Sequence, residues 1–232
     1  MTSTTTHSLG EQRALWTLRV AGTAILVLGA ILTAIMPARP VGTNVPGFQN
    51  TVVGFELSSE PAHVFGILGR PGTPERVEAV RRMDLGNRID FLFMVAYPAL
   101  YVGIALLLAA HGRVTPVVVV LLIGAASCMT IGDALENREL FALSAATEAQ
   151  AMTGALMRLR VFTLLKWYAI YGASGLAAVY IWREAGWWRW SAVCFGVAAL
   201  CGLTSTIYLP AIELGTVPLL IAWTMTYVRS LR

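Results

Sequence analysis

Residues 131–140 read IGDALENREL and follow a nearly all-apolar run, PVVVVLLIGAASCMT. Asp133, Glu136 and Asn137 stand three and four positions apart, so on a helix they share a face. A carboxylate in hydrocarbon costs about 2.5–3.5 kcal/mol at mid-bilayer and less toward the ends, so it faces a partner or water. Lys166, the one lysine among 17 Lys and Arg, is the candidate partner for Asp133 or for Asp90. Carboxyl and amine groups held out of bulk water are the groups a protein uses to move protons. Asp133, Asp90 and Lys166 are therefore the candidate catalytic residues, and an equally open reading makes them ionic glue between helices. Asn137, which both donates and accepts, completes either arrangement.

A second set shares a face of the preceding apolar stretch. Asp90, Met94, Tyr97 and Tyr101 recur at intervals of four, three and four. With Trp167 they would give a pocket an acidic and aromatic lining that attracts positive charge. The competing reading has the tyrosines simply packing between helices. Glu56 in VVGFELSS and Glu213 in LPAIELG are candidates for the mouth of the same pocket, Glu213 also reading as an exposed turn residue. Glu136 is a further ligand-binding candidate, although it and Glu139 read most simply as solvated at a helix end.

These residues need elements to carry them. The chain has 232 residues, 56% hydrophobic and 13% charged, with a mean hydropathy of +0.66. Soluble domains carry roughly 25% charged residues. The deficit and the long apolar runs predict an all-α, polytopic transmembrane helical bundle. The formal charge of +4 is spread along the chain, which fits membrane topology and argues against a nucleic-acid partner. Cys128, Cys194 and Cys201 lie in apolar runs without CxxC spacing and read as small core residues. His7, His63 and His111 make no metal pattern with them, and no histidine falls clearly within a span to ligate haem; no metal or cofactor is expected. HExxH and Gly-rich phosphate-loop motifs are absent, as is a lysine in the last span.

Residues 1–13 read as a flexible polar tail, and 14–232 as one transmembrane domain. About six spans are expected: Ala14–Met36 (read as uncleaved), Ile89–Ala110 with Pro98 as a kink site, Pro116–Leu135, Val161–Trp182, Ser191–Tyr208 and Thr216–Val228. Residues 37–88 form an extracytoplasmic segment with two short helices. In one, Ser59 is the N-cap and Gly69 the stop; in the other, Thr73 caps and Pro74 takes the first position. The second reads as amphipathic, lying in the interface with Val77, Val80 and Met83 toward lipid and its Arg and Glu toward water. With the N-terminus inside, Arg13, Arg19, Arg113, Arg183, Arg189, Arg229 and Arg232 face the cytoplasm of a bacterial inner membrane, and the C-terminus is inside too. Arg138, Arg158 and Arg160 dissent. Trp187, Trp188 and Trp190 beside Arg183 and Arg189 form an interfacial belt.

Phe55-Glu56, Asp90 with Phe93 and Tyr97, Asp133-x-x-Glu136-Asn137 and Lys166 together resemble a pattern in an uncharacterised family of bacterial multi-pass membrane proteins. The resemblance covers about residues 52–182 and brings no activity with it. It implies only which polar residues matter.

The functional expectation is an intramembrane acidic pocket that binds, and by acid/base chemistry converts, a lipid or isoprenoid-like hydrophobic molecule. The partners expected are membrane lipids and that ligand. An accessory subunit docked on a membrane-protein partner and an ion-coupled carrier are the alternatives.

Overall fold

A computed structural model describes residues 8–232. Those residues form eight helices and no strand: α1 (Leu9–Ile35), α2 (Thr51–Glu56), α3 (Pro61–Leu68), α4 (Pro74–Ala110), α5 (Pro116–Ala145), α6 (Ala149–Ile181), α7 (Arg189–Thr204) and α8 (Ala211–Ser230). Residues 1–7 of the expected tail, His7 included, lie outside the described residues. Leu9–Arg13 do not extend that tail: they are helical, because the Ser8 hydroxyl caps Glu11 N–H.

Local chemistry sets most boundaries. Thr73 and Thr115 precede prolines at the first turn of α4 and α5, where a missing N–H costs nothing. Glu60, one residue beyond the expected Ser59, takes the N-cap position of α3 without a side-chain cap bond, because Pro61 takes the first helical position. Gly69 ends α3 at φ +89°, a conformation that side chains with a Cβ rarely adopt.

The six long helices form a ring. Each packs on the next in chain order, from α1 to α4, α5, α6, α7 and α8, and α8 returns to α1. The connections from α4 through α8 are short, so neighbours run antiparallel. The long α1–α4 connection carries α2 and α3, which cover one end of the ring. A column of aromatics fills the centre. Tyr97 stacks on Trp223 with ring centroids 5.8 Å apart, and Tyr101 meets the same indole edge-on at 6.4 Å.

The chain is an all-helical bundle with the character of a membrane protein. Four helices, α1, α4, α5 and α8, are long and apolar enough to cross a membrane. That is fewer than the six spans expected. α6 has the length, but Lys166 with the Trp, Tyr, Gly and Ser residues around it lowers the hydropathy of its apolar stretch, and α7 has only 16 residues. The expected interfacial helix also does not exist separately. Nothing between Arg88 and Ile89 breaks the helix, so the amphipathic stretch and the second span fuse into the 37-residue α4. At 1.5 Å per residue α4 is about 55 Å long, well beyond a ~30 Å hydrocarbon layer. Pro98 sits inside it without interrupting it.

The arginines of that stretch do not all face water. Arg76 is buried and donates to the carbonyls of Gly69, Ser144 and Ala146 at 2.7–3.2 Å. Arg82 donates to Ala34, Ile35 and Met36 carbonyls, closing the end of α1. Met83 points into the core, while Val77 stays exposed.

Candidate functional site

Four elements deliver side chains to the covered end of the ring. α4 brings Asp90 and Tyr97, α5 brings Asp133, Glu136 and Asn137, α6 brings Lys166 and Trp167, and α2 brings Glu56. The register between α5 and α6 depends on Gly132. A Cβ there would stand 3.0 Å from both Lys166 N and Phe162 O, so any larger residue would push the two backbones apart by a few tenths of an ångström. That approach places Asp133 beside Lys166. α2 is capped at its start and tied to α6 at its end. Asn50 accepts from Val52 and Val53 N–H at its start, and Thr163 donates to the Glu56 carbonyl at its end.

Lys166 is the hub. Its Nζ lies 2.5 Å from Glu136 Oε1, 3.2 Å from Glu56 Oε2 and 3.3 Å from Asp133 Oδ1. The Lys166 side chain is 7% exposed and that of Glu136 1%. Ion pairs this dry repay their lost hydration only where geometry and hydrogen bonding are good, so their geometry matters more than their number. Asp133 Oδ2 accepts from Tyr97 Oη at 2.8 Å. Its Oδ1 is within ion-pair distance of Lys166 but makes no hydrogen bond. Asp90 accepts from Asn137 at 2.7 Å, and Trp167 Nε1 donates to Glu56 at 3.1 Å.

Beside this cluster lies a cavity of about 460 Å³. Glu56, Asp90, Asp133 and Lys166 form its charged wall. Phe93, Tyr97, Trp167 and Trp223 add rings, and Leu32 and Met36 of α1 with Leu219 of α8 add aliphatic surface.

Most of the expected residues meet here, with several different roles. Lys166 forms the expected ion pair with Asp133 but lies closer to Glu136, and Asp90 bonds to Asn137 instead. Glu136 is 1% exposed and Glu139, bonded to Arg158 at 2.8 Å, is 2% exposed, so neither is solvated. The reason is that α5 runs nine residues past Glu136, and α6 covers that extension. Tyr101 is fully buried outside the cavity lining, sharing hydrogen bonds with Ser174 at 2.7 Å and Trp223 at 3.3 Å. Met94 does not line the cavity either: it packs half-buried, and its carbonyl accepts from Thr130 of α5. Glu213 is neither at the mouth nor in a turn. It lies in the first turn of α8, and its carboxylate accepts from Gln49 and Asn50 N–H, both at 2.9 Å, clamping the approach to α2.

Phe93, Leu219 and Trp223 line the cavity without having been singled out as ligand contacts. A signal for Trp223 exists: an indole in the middle of an apolar helix needs a hydrogen-bond partner, and therefore points inward. No family model, curated protein or solved structure matches the chain.

Proposed function

We propose that this is a six-crossing membrane protein that binds an amphiphile, a lipid or isoprenoid-like molecule, in the cavity at its covered end. One observation carries the reading: the cavity has a charged wall on α2, α4, α5 and α6 and an apolar wall on α1 and α8. Such a division matches a molecule with a polar head and a hydrocarbon chain. Conversion of the ligand would run through Asp133, whose carboxylate accepts the Tyr97 proton and lies beside the cavity. Lys166 then serves to hold Glu56, Glu136 and Asp133 in place.

The ring supports six crossings, because α6 and α7 close it between α5 and α8 and share their neighbours' environment. The far end supports an N-in, C-in orientation in a bacterial inner membrane. There Arg183, Arg189, Arg229 and Arg232 lie 4.9–6.0 Å from the ring centres of Tyr180, Trp182, Trp188 and Trp187, a belt suited to headgroups. Beyond Tyr101, α4 contributes buried Ile104, Leu107 and Leu108, which favours a closed pocket over a carrier's path. The motif resemblance is compatible with this reading, since Glu56, Asp90, Tyr97, Asp133 and Lys166 all border the cavity.

Mass spectrometry of molecules that co-purify in mild detergent tests the proposal. Wild type is expected to retain one amphiphile enriched over bulk lipid, and Asp133→Asn and Trp223→Ala to lose it while staying monodisperse. Wild type carrying only bulk lipid would sink the reading.

A further inference from the structure

The charged wall is unbalanced. Glu56, Asp90 and Asp133 border the cavity with one ammonium, Lys166, and Glu136 behind that ammonium makes four carboxyl groups against one lysine. Nearby arginines do not redress this. Arg76 and Arg82 serve backbone carbonyls, and Arg158 serves Glu139. Asp133, with a side chain 3% exposed, lines the cavity and keeps one oxygen without a hydrogen bond. That oxygen faces the Lys166 ammonium at 3.3 Å, so the one lysine is shared among Glu56, Asp133 and Glu136 and belongs to none of them alone. Thr33, Asn50, Thr51 and Thr216 add uncharged polar groups, and the rings of Trp167, Trp223 and Tyr97 attract positive charge, as the Lys166 ammonium 5.3 Å from the Trp167 ring centre illustrates.

The α1–α8 seam supplies the second half of the argument. Away from the covered end it is closed. Arg19 Nε donates to Ser230 O at 2.5 Å, Thr23 donates to Tyr227 Oη at 3.2 Å, and Gly22 makes room for the Tyr227 ring. Toward the covered end, Leu32, Thr33 and Met36 of α1 and Thr216 and Leu219 of α8 border the cavity instead. Thr33 is exposed, so this wall reaches the outer surface of the ring.

We infer that the occupant is a cation-headed amphiphile, an alkyl chain ending in a protonated amine or a quaternary ammonium. Its head sits against Glu56, Asp90 and Asp133 among the indole and phenol rings. Its chain leaves between α1 and α8 toward lipid. An anionic head would meet three carboxyl groups, and a neutral one would leave the excess of carboxyl over ammonium groups unanswered. This inference rests on the cavity being the binding site.

The test uses the full chain in neutral maltoside micelles, with empty micelles as the blank. Dodecylamine, dodecyltrimethylammonium, dodecanol and dodecanoate are compared by equilibrium dialysis and mass spectrometry. Both cations are expected to bind saturably at about one per chain, with dodecanol weaker by about tenfold or more and dodecanoate weaker still. Glu56→Gln, on a short helix outside the ring, should lower amine binding about tenfold and leave dodecanol unchanged. Thr216→Trp should obstruct all of the chains, and Glu184→Gln, at the far end, none. Equal binding of dodecanol and the amine would overturn the inference, showing that the carboxyl groups are neutralised by protons. Preference for dodecanoate would overturn it in favour of Lys166 as the head's partner. In both cases the cavity reading survives. If none of the four bound, both would fall.

Discussion

The two ends of the ring each carry an ionic network, built from similar residues and differing in burial. At the covered end, Lys166, Glu136 and Asp133 have side chains 7%, 1% and 3% exposed. At the far end, His111 lies between Glu11 and Glu184, at 3.3 and 3.2 Å, while Arg113 pairs with Glu184 at 3.1 Å. Those side chains are 15–49% exposed. The far network ties the start of α1 to the α4–α5 and α6–α7 connections in water's reach. The near network sits among helices and borders a cavity. Burial makes the near network costly to disrupt, and exposure makes the far one a weak tether.

The largest effect should come from Lys166→Met. It leaves carboxyl groups facing each other without their cation, and removing one partner of a buried pair costs about 3–5 kcal/mol. Thermal unfolding in detergent should show a large drop in Tm, or the variant should fail to accumulate. A loss below about 1 kcal/mol would put the cluster in the same class as the far network.

Gly132→Ala should come next, at about 1–3 kcal/mol, because its Cβ would stand against the Lys166 and Phe162 backbone. Amphiphile retention should fall with it, since the α5–α6 approach sets the position of Asp133. A destabilised Gly132→Ala that held its ligand unchanged would separate packing from the site. Tyr97→Phe removes one hydrogen bond to Asp133 and should cost about 1 kcal/mol. The smallest effect is expected from Arg113→Ala, within about 1 kcal/mol and vanishing at high salt, as for an exposed pair. A salt-insensitive loss of several kcal/mol there would erase the contrast between the ends.

The polar residues gathered at the covered end are largely visible in the sequence as types and spacings. Asp90, Tyr97, Asp133, Asn137 and Lys166 fall on helical faces that any regular helix would align. Glu136 was misplaced because the apolar run stops near Leu135 while the helix does not. Hydropathy marks where hydrocarbon ends, and backbone hydrogen bonding continues until Ala145. Glu213 was misplaced because two backbone N–H groups from a segment more than 160 residues away claim its carboxylate, and no local pattern encodes that.

By itself the sequence determined that this is a helical membrane-type protein, where α3, α4, α5 and α7 begin, and which polar side chains lie within apolar stretches. These follow from local causes: hydropathy over a helix length, caps, prolines at first turns and a glycine at positive φ. The tertiary structure alone decided that Lys166 takes Glu136 as its nearest partner and that Met94 and Tyr101 lie off the cavity. It also decided that α1 and α8 complete the cavity opposite the charged wall. Partners across helices depend on the relative rotation and height of each pair. Those are set by close approaches such as Gly132 on α6, which arise only when distant segments pack together.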